Sequence, residues 1–344
     1  DGEAGDDRLD GEAGDDQLLG RDGNDRLDGG AGLDQLAGHE GDDTLLGGDG
    51  ADLLAGGAGR DSLLGGAGDD YYLVEDAGDI LREAADGGHD GVWSWVDFRL
   101  DANFEELTLL GGARTGTGNG LANTIIGSLG DDLLRGLAGD AEVSGRSGND
   151  TLRGDGGDDW LNGGVGDDVL MGGAGRDLGE GGEGDDRLMG GDDRDALFGD
   201  AGADTAWGGA AADDLFGGDG GDSLVGGLAD DLLDGEAGND TLVGGGAPAG
   251  PGCPDPDNDT LTGGAGHDLF VFLAGDGGLD EVTDFSLAQD RLLFDGLFAS
   301  IAAALAAASQ NAEGARFDFG VGEGGVLLAG VTAASLTADH ILLG

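Results

Sequence analysis

Residues 2–73 read GEAGDDRLD, GEAGDDQLL, GRDGNDRLD, GGAGLDQLA, GHEGDDTLL, GGDGADLLA, GGAGRDSLL and GGAGDDYYL, eight nonapeptides in unbroken phase. The first and fourth positions are always glycine. The sixth is always aspartate: Asp7, Asp16, Asp25, Asp34, Asp43, Asp52, Asp61 and Asp70. The eighth is leucine until Tyr72 takes its place. The phase returns at Gly127 and runs through thirteen more nonapeptides to Val243. Its sixth positions are Asp132, Ala141, Asp150, Asp159, Asp168, Asp177, Asp186, Asp195, Asp204, Asp213, Asp222, Asp231 and Asp240. Asp259 and Asp268 belong to two last repeats, beyond a proline-bearing insert at 246–258 that reads as an exposed loop.

A fixed period of this kind is the signature of a solenoid, in which each unit buries its apolar side chain only by stacking on its neighbours. Glycines at the first, second and fourth positions allow positive φ and hence a tight six-residue turn, and they clear side chains away from the backbone carbonyls. The remaining x-L-x is a short strand with one inward side chain. Two nonapeptides make one coil of 18 residues, so aspartates eighteen apart stack on one edge. Carboxylates one strand spacing apart, about 4.8 Å, repel. A hard divalent cation between successive turns reverses the sign, with carboxylates supplying charge and glycine carbonyls supplying further oxygens. One leucine per nine residues is too little apolar surface to order the chain alone, so ion binding must contribute folding free energy.

The composition excludes other classes. The chain has 344 residues, 81 of them glycine, with 73 acidic and 15 basic side chains and a net charge of −58. Every base is arginine. No basic face exists to displace counterions from nucleic acid. The longest apolar stretch, Leu297 to Ala308, is alanine-rich, broken by Ser300, and shorter than the roughly 20 residues of a membrane span. The lone Cys253 excludes an internal disulfide and any multi-cysteine metal site. His39, His89, His267 and His340 are far apart and read as surface or turn residues rather than ligands. Magnesium fits less well than calcium because it keeps its waters and a small octahedral shell. There is no HExxH and no GxSxG; Gly116-Thr117-Gly118-Asn119-Gly120 lacks the lysine of a phosphate loop.

The consensus GGxGxDxLx is identified as the RTX (hemolysin-type) calcium-binding nonapeptide, and the resemblance covers nearly the whole chain. It implies an all-β protein, a right-handed parallel β-roll (a β-solenoid of 18 residues per coil) in two blocks, with a small C-terminal β-rich domain carrying one helix. The blocks are 1–72 and 127–245, joined by 73–126 as wider solenoid coils, with 259–272 as last repeats. Pairs at i, i+18 within the two blocks give up to about 16 calcium ions. The metal-ligating residues are then all the sixth-position aspartates named above, from Asp7 to Asp268.

Within 73–126, Trp93 and Trp95 share a face and read as core or coil-packing side chains. A strand-like Phe270-Val271-Phe272 leads into residues 273–344, which contain strand-like Asp280 to Phe285 and Asp290 to Phe294. A helix over Leu297–Ser309, a hairpin of Phe317-Asp318-Phe319 with Val326-Leu327-Leu328, and a closing Asp339–Leu343 follow. This layout resembles the C-terminal domain of bacterial proteins exported by type I secretion, although His340 stands where that family often has an aromatic. The resemblance implies the type I machinery as a partner, an extracellular or cell-surface location, and folding on meeting calcium outside. The chain opens inside a repeat without methionine, as expected of a downstream piece. No catalytic constellation is present, so the chain reads as a non-enzyme. The alternatives are the non-catalytic part of a secreted hydrolase or polysaccharide-modifying enzyme, and an adhesin or surface-layer component.

Overall fold

The computed structural model describes residues 1–85, 87–245, 257–274, 277–319 and 324–344. Cys253 and nearly all of the proline insert lie outside the described residues. The chain is all-β, about 4% helical, a parallel β-solenoid of about 15 coils of roughly 18 residues. It divides into two compact units, Asp1–Trp160 and Leu161–Gly344.

In the first unit the strands alternate between sheets. Arg8–Asp10, Arg26–Ala31, Thr44–Asp49, Ser62–Ala67 and Ile80–Arg82 form one five-stranded parallel sheet. Its register stacks Leu9, Leu27, Leu45, Leu63 and Leu81. The facing sheet stacks Leu18, Leu36, Leu54, Tyr72, Val92, Leu107, Ile125 and Val143. Apart from the terminal Leu9, these side chains are buried. The eighth position is therefore the core, one side chain per strand, as the period requires.

The strands are longer than the sequence suggests. Gln35–Glu40, for example, runs on through the following Gly38. Ladder pairing continues to the second and third positions of the next repeat, as in Gly30↔Gly48 and Ala31↔Asp49. The turn is thereby shortened to the residues around the fourth glycine, which carries positive φ, as at Gly32 (+149°) and Gly50 (+129°). The second position also takes positive φ, at Gly48 and even at Arg21 and His39. The first-position glycines do not, so conformational freedom is not their role; their task is space, as shown below.

Residues 73–126 stay on the same ladder with altered coil lengths. Tyr71 pairs with Gly91, twenty residues on, Gly91 with Glu106, and Glu106 with Thr124. Trp93 and Trp95 do share a face, but it is the outer one: Val92 and Ser94 point inward, while Trp93 is 40% exposed. Trp93 packs across coils on Tyr71, ring centroids 5.5 Å apart.

In the second unit one sheet stacks Leu170, Leu188, Ala206, Leu224, Leu242, Phe270, Leu292 and Ile341. The other stacks Gly179, Leu197, Leu215, Leu233, Leu261, Val282 and Leu328. The last strands of the chain thus add to the repeat ladder. The hairpin Gly314–Asp318 with Gly325–Ala329 pairs antiparallel, Phe317 opposite Val326. The helix is shorter than its alanine run, Ile301–Ala307, because Ser300 caps it through Ala303 N–H and Ala308 turns extended. Phe298 stays outside and packs on Phe294 and Phe319.

Candidate metal centres

The sixth-position aspartates point inward. From Asp25 to Asp70, and from Asp132 to Asp268, every one of them is at most 4% exposed. Each uses one carboxylate oxygen to tie two coils together. The Asp25 N–H donates to Asp43 Oδ1 at 2.7 Å, and Asp43 N–H to Asp61 Oδ1 at 2.8 Å. The other edge repeats this through Asp16, Asp34, Asp52 and Asp70. In the second unit the columns Asp168–Asp186–Asp204–Asp222–Asp240 and Asp177–Asp195–Asp213–Asp231–Asp259 do the same. In the first unit Asp132 N–H bonds Asp150, and Ala141, which lacks the side chain, still donates its N–H to Asp159.

The second oxygen is the informative one. Oδ2 is buried and meets no donor at Asp7, Asp16, Asp25, Asp34, Asp43, Asp52, Asp61 and Asp70. The same is true at Asp186, Asp195, Asp204, Asp213, Asp222, Asp240 and Asp268. A buried carboxylate oxygen without a partner costs several kcal/mol, roughly, and native proteins rarely tolerate one. Here the defect recurs with the sequence period.

The first-position glycines explain what the oxygens face. A Cβ on Gly29 would stand 2.5 Å from Asp34 Oδ2 and 2.7 Å from the Gly47 carbonyl oxygen of the next coil. Gly181 is placed alike, 2.5 Å from Asp186 Oδ2 and 2.8 Å from Gly199 O. A carboxylate oxygen and a backbone carbonyl therefore border a space that any side chain would fill. The donors are all oxygen, the set that suits a hard cation such as calcium. The one buried histidine, His340, is taken up by Thr337 and the Leu287 carbonyl.

Asp132 differs. Ser128 N–H donates to its Oδ2 at 2.6 Å, and Arg114 approaches within 3.8 Å, so the block's first aspartate is satisfied by protein. Conversely, four aspartates outside the nonapeptide count join the columns: Asp79 below Asp61, Asp90 below Asp70, Asp280 below Asp259 and Asp290 below Asp268. Asp79 keeps the spacing of 18, whereas the spacings of 20, 21 and 22 at the other three follow the ladder rather than the local period. A second, exposed ladder runs through the fifth position. Asp6 Oδ1 accepts from Asn24 N–H and Asn24 Oδ1 from Asp42 N–H, the opposite direction along the stack. The recurring Asp/Asn before the buried aspartate was its sequence signal.

Burial raises the carboxylate pKa values. Desolvation, against one stabilising backbone N–H, lifts Asp61 and Asp150 to about 6, Asp70, Asp204 and Asp240 to about 7, and Asp195 to about 8. Neighbouring carboxylates add to the rise; at Asp195 these are Asp177, Asp213 and Asp193. A group with a raised folded pKa gives stability that is complete below its unfolded value, near 3.8, and lost as pH climbs through the folded value. Without calcium, the β signal should therefore be strongest near pH 4 and decline as pH rises from there to about 8. Calcium loading should release protons over the same window and none above about pH 9. Ellipticity in chelator and proton release in weak buffer measure the two; release that grew with pH would contradict the assignment.

A stacked parallel solenoid whose coils share buried carboxylate and carbonyl oxygens is a metal-binding repeat scaffold. The family model for the RTX calcium-binding nonapeptide repeat matches residues 1–36, 37–72, 117–140, 144–178, 180–215, 216–247 and 255–279. The chain belongs to that family, and its repeats bind calcium. No curated protein sequence matches the chain. Among solved structures it is similar to the extracellular lipase LipA from Serratia marcescens, at 21% identity and a TM-score of 0.24. That similarity covers 76% of this chain, which spans 45% of the lipase. Among the described residues no helix is long and apolar enough to cross a membrane.

Proposed function

We propose that the chain is a calcium-folded β-roll of an extracellular bacterial protein, exported unfolded by the type I route and ordered by calcium outside the cell. The observation that carries this is the column of buried, unpartnered Oδ2 atoms facing glycine-bounded space. Asp25, Asp34, Asp43, Asp52, Asp61 and Asp70 would hold the ions in the first block, and Asp186 to Asp240 in the second. The bound ion supplies positive charge and a hard acceptor for several oxygens. The chain supplies the rest: it fixes each carboxylate by one backbone N–H, excludes water with the leucine stack, and leaves room by glycine. In this reading the carboxylates are structural and the chain does no catalysis of its own.

Scarce cytosolic calcium keeps such a chain open, and a net charge of −58 keeps it extended for passage through a narrow channel. Millimolar calcium, the regime of weak extracellular sites, closes it. The test has two arms. Calcium should produce a β spectrum from the chelated chain where equimolar magnesium does not. In a host with a type I exporter, deletion of 273–344 should retain the chain in the cell. A β spectrum indifferent to chelator would falsify the folding half, and undiminished export of the deletion would remove the secretion half.

A further inference from the structure

The first block ends where a carboxylate from outside the repeats enters the column. Below Asp70 the next aspartate is Asp90, and the Asp70 N–H donates to its Oδ1 at 2.8 Å. Between them Ile80–Arg82 closes the five-stranded sheet and delivers Glu83 beside the column. Ligand atoms of Asp70, Glu83 and Asp90 all lie within 4.8 Å of one another, and among the described residues this is the only such group of three. Asp70 and Asp90 are fully buried, and the Oδ2 of each meets no donor.

Glu83 is held in place. The Tyr72 hydroxyl donates to Glu83 Oε2 at 2.5 Å, and Ala84 N–H donates to Oε1 at 2.7 Å. Asn103 Nδ2 fixes the Glu83 carbonyl at 3.0 Å. The Tyr72 ring is itself locked, buried edge-on against Phe104 with its oxygen accepting from Gly65 N–H. Tyr72 is the residue that breaks the leucine series of the first block. A leucine there would fill the core equally well but would not reach Glu83.

We propose that Asp70, Glu83 and Asp90 form a three-carboxylate calcium site, tighter than the sites of the nonapeptide columns, with Tyr72 as the positioning residue for Glu83. Two features set it apart from the columns: a third carboxylate, and the fixing of that carboxylate through both of its oxygens, by the Tyr72 hydroxyl and Ala84 N–H. Calcium affinity rises with ligand charge and with rigidity. The site therefore fills first and fastens the end of the first block to the connecting coil. This rests on the reading that the columns bind calcium.

The experiment is calcium titration of the chelated full-length chain against competing indicators of graded affinity. The wild type should show one site at least tenfold tighter than the remainder. Glu83→Gln should merge that site with the weaker class, and Tyr72→Phe should weaken it by about tenfold or more, the worth of one buried hydrogen bond to a charge. Asp34→Asn, in mid-column, should leave the tight site intact and lower the weak capacity. Ellipticity at saturating calcium confirms that each variant folds; Glu83→Asp, which keeps the charge, covers the case where glutamine does not. A wild type with uniform weak sites, or a tight site unchanged in Glu83→Gln, overturns the proposal while sparing the calcium columns. A wild type that binds no calcium overturns both readings.

Discussion

Stripped of calcium at pH 7.5, the 344-residue chain should swell to a radius of gyration of about 65 Å, the size of an unfolded chain of this length. Millimolar calcium should collapse it over a narrow concentration range. The reason is arithmetic on the repeat. Except where Ala141 and Gly179 stand, each nonapeptide inserts one apolar side chain and one carboxylate, and at Asp25, Asp43 or Asp204 the second oxygen of that carboxylate meets no protein donor. Without a cation, stacking a further coil adds a desolvated like charge to the column. With one, each site contributes RT ln(1 + [Ca]/Kd), about 1.4 kcal/mol at ten times Kd. Because every coil contacts only its neighbours, a coil folds more readily against one already loaded, which makes the transition steep. Sodium chloride is the informative control. It screens the net charge of −58 beyond about 8 Å at physiological strength and should shrink the chain without inducing β structure. Small-angle scattering and ellipticity read together separate the two effects. A compact, β-rich chain in chelator at this pH would show that the leucine stack suffices.

Much of this was legible from the phase of the repeat. Aspartate at the sixth position and leucine at the eighth put Asp43 on an edge and Leu45 in the core, and both are there. The period also fixed eighteen as the stacking interval, seen in Asp34–Asp52 and Leu36↔Leu54. What the period could not reveal was anything set by ladder pairing at other separations. Asp90 and Glu83 join Asp70 from twenty and thirteen residues on, and Asp290 reaches Asp268 from twenty-two. Leu292 meets Ile341 across a connection that holds a helix and a hairpin. Those registers come from neighbouring strands competing for a free edge, which no local pattern encodes. The outward Trp93 is a related case, since period-two alternation names two faces without saying which is inside.

The role of the first-position glycine was also hidden, because composition cannot tell a glycine kept for its backbone from one kept for its missing side chain. Neither Gly181 nor Gly221 has positive φ, so this pair tests the missing side chain alone. At Gly181, backbone φ is ordinary, yet a Cβ would stand 2.5 Å from Asp186 Oδ2, 2.8 Å from Gly199 O and 3.0 Å from Asp186 Cβ. These are interior atoms held on both sides by stacked coils, so relief requires the coils to part. Gly181→Ala should cost about 3 kcal/mol, the upper range for overpacking, and should remove at least one calcium from the stoichiometry. At Gly221 the nearest atom to a new Cβ is Asn239 O at 3.5 Å. Gly221→Ala should therefore fall within about 0.5 kcal/mol of wild type, as surface substitutions do. Calorimetric melting in excess calcium gives the stability difference, and equilibrium dialysis the ion count. Equal melting temperatures for the two variants would mean that the space beside Asp186 is not needed for an ion. A Gly181→Ala chain that melts early with its full calcium complement would restrict the glycine's role to packing alone.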